Sequence, residues 1–138
     1  MRLTWKDARA TLFVAAAVVF YALWLTGTIA ADMSTRVAAT IVFAFGWLAC
    51  TSDVDQMKVV YGVDAERRPP LTYVVLASLA GGVALVSGIV AIAGANETML
   101  ATLVVAMVVL WVVTTARHAL ARQEQPRQNA GEVLPRAA

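Results

Sequence analysis

The residues most able to do chemistry here are Asp53 and Asp55, set one apart in Asp53-Val54-Asp55. Two carboxylates at that spacing can share a divalent cation with the phosphate of a sugar nucleotide. They also follow Thr51-Ser52 at the start of a predicted helical turn, where acids complement the helix dipole. A three-residue pattern with so ordinary an explanation assigns no metal and no cofactor. His118, beside Arg117, could titrate near neutrality or meet a phosphate. At the end of an apolar run, both read instead as anchors at the membrane surface. The single cysteine, Cys50, excludes an internal disulfide and a C-x-x-C redox pair. It reads as a small packing residue rather than a lipidation site. Asn96-Glu97-Thr98 has the N-glycosylation pattern but is equally a turn and a helix cap. No catalytic residue emerges from these candidates.

The elements carrying these residues are read from apolar runs. The chain has 138 residues, 60% hydrophobic and only 14% charged, where a soluble domain carries about 25% charged residues. A net charge of +2, from 11 basic and 9 acidic residues, is too small for a nucleic-acid partner. Leu71 to Ala95 is the dominant stretch, with 25 residues and no charge, and a membrane helix needs about 20. Ala10 to Ala31 adds 22 uncharged residues and Thr98 to Ala116 adds 19. Thr28-Ile29-Ala30 loosely resembles a signal cleavage site, but the apolar run before it exceeds a signal core. Val37 to Cys50 has only 14 residues. It reaches membrane length if Ser34 to Asp53 is included, with a re-entrant hairpin as the alternative. The expectation is an all-α integral membrane protein with four transmembrane helices in an up-down bundle. The helices cover about 10–31, 34–53, 70–95 and 98–119 within a domain over 1–122. A polar, disordered tail follows over 123–138.

Charge sets the expected orientation. Ten of the 11 basic residues lie in the head, the long polar loop and the tail, leaving only Arg36 on the other side. The positive side faces the cytoplasm, so both termini are expected there, in an inner or plasma membrane. Trp5, Arg36, Trp47, Arg67, Arg68, Arg117 and His118 are the expected interface anchors. No ionisable residue lies in the middle of a predicted helix. Such residues mark proton relays and ion paths, so a proton-coupled pump is not expected. In size and helix count alone the chain is similar to the small multidrug resistance exporters. The essential acid of their first helix has no counterpart between Ala10 and Ala31, and no membership follows.

Packing is what remains. Ala77, Gly81, Ala84, Gly88, Ala91 and Ala95 recur at spacings of four and three, one stripe of small side chains along a helix. In lipid, small residues admit the close approach that holds helices together, and a 3.5-residue period predicts left-handed crossings. Ala15 and Ala22 of the first helix and Gly46 of the second could meet this stripe within the chain, or another protein could. Partners are therefore the lipid bilayer and either a second copy or another membrane protein. The leading functional expectation is a non-enzymatic accessory or homo-oligomeric subunit. The alternatives are a transport module for an uncharged or lipophilic solute, or an enzyme at the cytoplasmic face using Asp53, Asp55, Lys58, Arg67 and Arg68.

Overall fold

A computed structural model of the chain describes residues 5–29, 32–51 and 70–132. Four helices follow in order: α1 (Trp5–Leu25), α2 (Thr35–Thr51), α3 (Leu71–Gly94) and α4 (Glu97–Glu132). No strand occurs among the described residues. Three segments, Ala8–Leu25, Leu71–Gly94 and Glu97–Arg117, are long and apolar enough to cross a membrane. At 1.5 Å per residue the second and third reach about 36 Å and about 32 Å, against a hydrocarbon layer of about 30 Å. The 17-residue α2 is apolar but shorter, reaching about 26 Å. It is one unbroken helix, so it has no break at which a re-entrant hairpin could turn.

The helix ends differ from the sequence expectation, each for a local reason. Expected to run on to Ala31, α1 stops at Leu25. Gly27 takes a left-handed φ of 66°. Its amide donates to the Trp24 carbonyl and that of Thr28 to the Leu23 carbonyl, both at 3.0 Å. This is the Schellman arrangement, in which a left-handed residue folds the chain back over the last open carbonyls. Ser34 stands before α2, and its carbonyl accepts the amides of Val37 and Ala38 at 3.0 and 3.1 Å. Pro70 occupies the cap position of α3 rather than its first turn, with φ −55° and ψ 141°. At the other end of α3, Ala95 is left-handed (φ 49°, ψ 42°). Asn96 then caps α4, its Oδ1 accepting the Met99 amide at 3.1 Å. Beyond the apolar run, α4 continues to Glu132. Its Ala119-Leu120-Ala121-Arg122-Gln123-Glu124-Gln125 segment consists wholly of strong helix formers.

The helices pack through a small core. α3 lies most extensively against α4, and α1 against α2, while α2 and α4 each touch all three other helices. Ala17, Ala38, Ala39, Val42, Ala91, Leu100, Leu103, Val104 and Met107 form one buried cluster. Phe20, Phe43, Phe45 and Trp24 pack around it. Small residues dominate where α1, α2 and α3 enter this core, and α4 supplies the bulk. Apolar side chains also cover the outside: Leu12, Leu79, Val86, Ile89 and Val105 are each more than half exposed. Exposed apolar surface on this scale suits a lipid solvent and is rare in water-soluble monomers.

Specific polar contacts tie the ends together. The Trp111 indole N–H on α4 donates to Thr11 Oγ1 on α1 at 3.1 Å. The Trp24 indole N–H donates to the Met33 carbonyl at 3.2 Å, closing the connection between α1 and α2. Gly27→Ala tests the α1 terminus cleanly, because a Cβ at Gly27 would meet nothing within 4 Å. The left-handed backbone alone should cost about 1 kcal/mol, measured as a lower unfolding free energy in detergent. An unchanged free energy would show that this turn contributes nothing to holding the helix end.

Candidate functional site

The small-residue stripe of α3 does not act as one surface. Toward the C-terminal end, Gly88 and Ala91 are buried, and Gly88 faces the ring of Phe43 on α2. A Cβ at Gly88 would overlap that ring. Glycine is therefore required here by close approach, not by backbone conformation. Ala84 is partly buried and packs against the core cluster. Toward the N-terminal end, Ala77 and Gly81 are only half-buried, and a Cβ at Gly81 would meet nothing within 4 Å. Ala95 lies beyond the helix end, exposed and left-handed, so it leaves the stripe altogether.

The expected counterparts divide in the same way. Gly46 on α2 faces α4, not α3: a Cβ there would lie 2.9 Å from Met107 Sδ and 3.1 Å from its Cε. That neighbour is the free end of a flexible side chain and can move. Ala15 and Ala22 are exposed, while α1 turns Val14 and Ala17 inward. The buried face of α1 lies one or two residues away from Ala15 and Ala22.

On the outer side of α3, Ser78, Leu79, Gly82, Val83, Val86 and Ser87 join Met99 and Thr102 of α4 around an open groove of about 440 Å³. Its walls are almost wholly apolar. The two hydroxyls whose bonds bear on its chemistry are turned to the backbone. Ser87 Oγ donates to the Val83 carbonyl at 2.6 Å, with the Ala84 carbonyl at 3.2 Å. Thr102 Oγ1 donates to the Thr98 carbonyl at 2.8 Å. The groove offers shape and apolar surface, with no aimed hydrogen-bond donor from either residue. A Cβ at Gly82 would meet nothing within 4 Å. Ser78 and Gly82 make a small-x-x-x-small pair on this wall. The spacing was readable in the sequence but was hidden behind the longer stripe one residue away.

The remaining candidates take no part in a common site. Trp5 is 78% exposed and Trp47 60% exposed, and Arg36 is exposed in the first turn of α2. His118 lies within α4. Arg117 stacks on Tyr73 of α3, its guanidinium carbon 4.4 Å from the ring centroid. Asp53, Asp55, Lys58, Arg67 and Arg68 lie outside the described residues. Among the described residues no group of three or more His, Cys, Asp or Glu could hold a metal ion. Comparison with protein-family models, with curated proteins and with solved structures finds no match to the chain.

Gly88→Ala and Gly81→Ala separate the two halves of the stripe. Gly88→Ala should destabilise the protein by about 1–3 kcal/mol through overpacking against Phe43, and Phe43→Leu in the same chain should recover part of the loss. Gly81→Ala should leave stability unchanged or raise it by up to about 1 kcal/mol through helix propensity. Equal effects of the two changes on the unfolding free energy would contradict the division.

Proposed function

We propose that the protein is a small multi-pass membrane protein that works by helix–helix association, as a homo-oligomeric or accessory subunit, and not as an enzyme. In this reading α2 crosses the bilayer with the other three helices in an up-down bundle, and both termini face the cytoplasm of an inner or plasma membrane. The ten-to-one distribution of basic residues about the four helices supports that orientation.

The observation that carries the association reading is the open glycine face of α3. Helices in lipid gain little from hydrophobic contact and associate where small residues let backbones approach. Gly88 meets that need within the chain. Gly81 and Gly82 have open space above them, and Gly82 lines an apolar groove beside Ser78. A glycine pair in mid-helix costs about 1 kcal/mol per residue relative to alanine. A contact from a second helix would offset a cost that no described residue of the chain offsets.

A transport reading for a lipophilic solute draws on the same groove, because Ser87 and Thr102 border it. Their hydroxyl donors are already engaged.

Fluorescence transfer between donor- and acceptor-labelled copies in vesicles tests the association. Gly82→Leu should weaken it by about tenfold, the equivalent of about 1.4 kcal/mol. Ala93→Leu, which adds the same bulk at an exposed position outside the groove, should leave it unchanged. Transfer that Gly82→Leu does not alter, or that is absent from the unsubstituted protein, would remove the basis of the reading. A reporter fused after Ala138 should read as cytoplasmic, and an extracytoplasmic signal would refute the orientation.

A further inference from the structure

Uncharged helical length divides the molecule into two flanks. α1 lies mainly against α2, and α3 most extensively against α4. In α1 the 16 residues from Ala10 to Leu25 carry no charge, about 24 Å of helix at 1.5 Å per residue. In α2 the charges of Arg36 and Asp53 bound 16 uncharged residues, 37–52, again about 24 Å in helical form. The 24 residues of α3 are all uncharged and reach about 36 Å, and residues 98–116 give α4 about 28 Å.

The short span of α1 is built into its backbone. The apolar sequence continues to Ala31, but the helix stops at Leu25 and Gly27 is left-handed. Thr26, Gly27 and Thr28 are exposed, and the two threonine hydroxyls bond each other at 2.8 Å. Irregular backbone open to lipid is not found within hydrocarbon, so this turn marks the membrane surface. Arg9 is exposed at the other end of the segment, and Arg36 is exposed in the first turn of α2. Between these limits Leu12, Val19, Val37 and Leu48 present apolar side chains outward.

A hydrocarbon layer of about 30 Å is therefore about 6 Å too thick for the α1–α2 flank. Snorkelling lifts the charges of Arg9 and Arg36 but does not move the open turn at Gly27. Tilt does not equalise the flanks either. Bringing α3 from about 36 Å down to about 24 Å needs a tilt of about 48°, beyond the roughly 0–40° that membrane helices show. A short span is met instead by thinner bilayer around it.

We propose that the α1–α2 flank is a lipid-contact surface fitted to hydrocarbon of about 24 Å, which gathers glycerophospholipids of shorter acyl chain. The α3–α4 flank takes lipids of ordinary length. The proposal rests on the reading that α2 crosses the bilayer, and it does not require copies to associate.

The test is fluorescence quenching in vesicles, on the full chain carrying Cys50→Ala. A single cysteine replaces Val19 on α1, Ala44 on α2 or Leu85 on α3, all exposed positions within their helices, and carries a nitrobenzoxadiazole fluorophore. Spin-labelled oleoyl phosphatidylcholine is the quencher, in competition with unlabelled phosphatidylcholine of myristoleoyl, oleoyl or erucoyl chains. Circular dichroism shows that each labelled chain keeps its helices. At Val19 and Ala44 the myristoleoyl lipid should relieve quenching best, with about twice the relative affinity of the oleoyl lipid. At Leu85 the oleoyl or erucoyl lipid should compete at least as well as the myristoleoyl one. Arg36→Leu lengthens the uncharged run of α2 and should move the preference at Ala44 toward oleoyl chains. One rank order of the three lipids at all three positions, or an unmoved preference in Arg36→Leu, would overturn the proposal. An impermeant maleimide, applied to Ser34→Cys and Thr51→Cys in the same background, tests the underlying reading separately. Labelling of both from one side would overturn the crossing of α2 and this proposal with it. Labelling from opposite sides, combined with a single rank order, would overturn this proposal alone.

Discussion

A helix in hydrocarbon has no water to satisfy its polar groups, and the irregular features of this chain answer to that constraint. The hydroxyls of Thr40, Ser87, Thr102 and Thr114 each donate to the carbonyl four residues earlier. Where α1 must end, Gly27 turns left-handed and the amides of Gly27 and Thr28 fold back onto open carbonyls. Where α4 must begin, Asn96 supplies an acceptor for the Met99 amide. Trp111 and Trp24 carry the long-range bonds, to Thr11 and to the Met33 carbonyl. No buried side-chain nitrogen or oxygen is left without a partner among the described residues. The described residues meet their polar obligations internally, which frees their outer surface to be apolar.

The same solvent determines how the helices hold together. With little hydrophobic gain between them, contact must come from fit. That explains a core in which Ala17, Ala38, Ala39 and Ala91 are fully or almost fully buried, and in which Leu100, Leu103 and Met107 of α4 fill the space they leave. It also explains why Gly88 and Gly81, seven residues and about two turns apart, differ so sharply. One is pressed against Phe43 and the other lies in open space. The two glycines share a helix face, but α2 covers only part of the length of α3.

Much of this was legible in the sequence, and the limits were physical. Long uncharged runs identify helices directly because hydrophobic length is the property the bilayer selects. Asn96 was readable as a cap because its side chain bonds locally. The end of α1 was misplaced because hydropathy continues to Ala31, while the helix obeys a backbone conformation that Gly27 alone makes inexpensive. The apolar signal ends near Arg122, while α4 runs on to Glu132 through a segment with strong helix propensity. Small-residue spacing marked the faces able to pack, but it could not say which neighbour arrives. Ala15 and Ala22 share an exposed face of α1, and Gly46 lies against Met107 of α4. The Ser78–Gly82 wall and the Tyr73–Arg117 stack join residues that only the fold brings into relation.

The central claim is that the apolar exterior of these helices faces lipid. Spin labels placed singly along α3 from Val75 to Ala91 test it most directly, by collision with oxygen, which concentrates in hydrocarbon, and with a water-soluble nickel chelate, which does not. The account predicts high oxygen and low nickel accessibility at the exposed positions Leu76, Leu85, Ile89 and Val90, which lie outside the groove, and low values of both at Ser87 and Ala91. High nickel accessibility at Leu85, midway along the helix, would place that face in water and contradict the account.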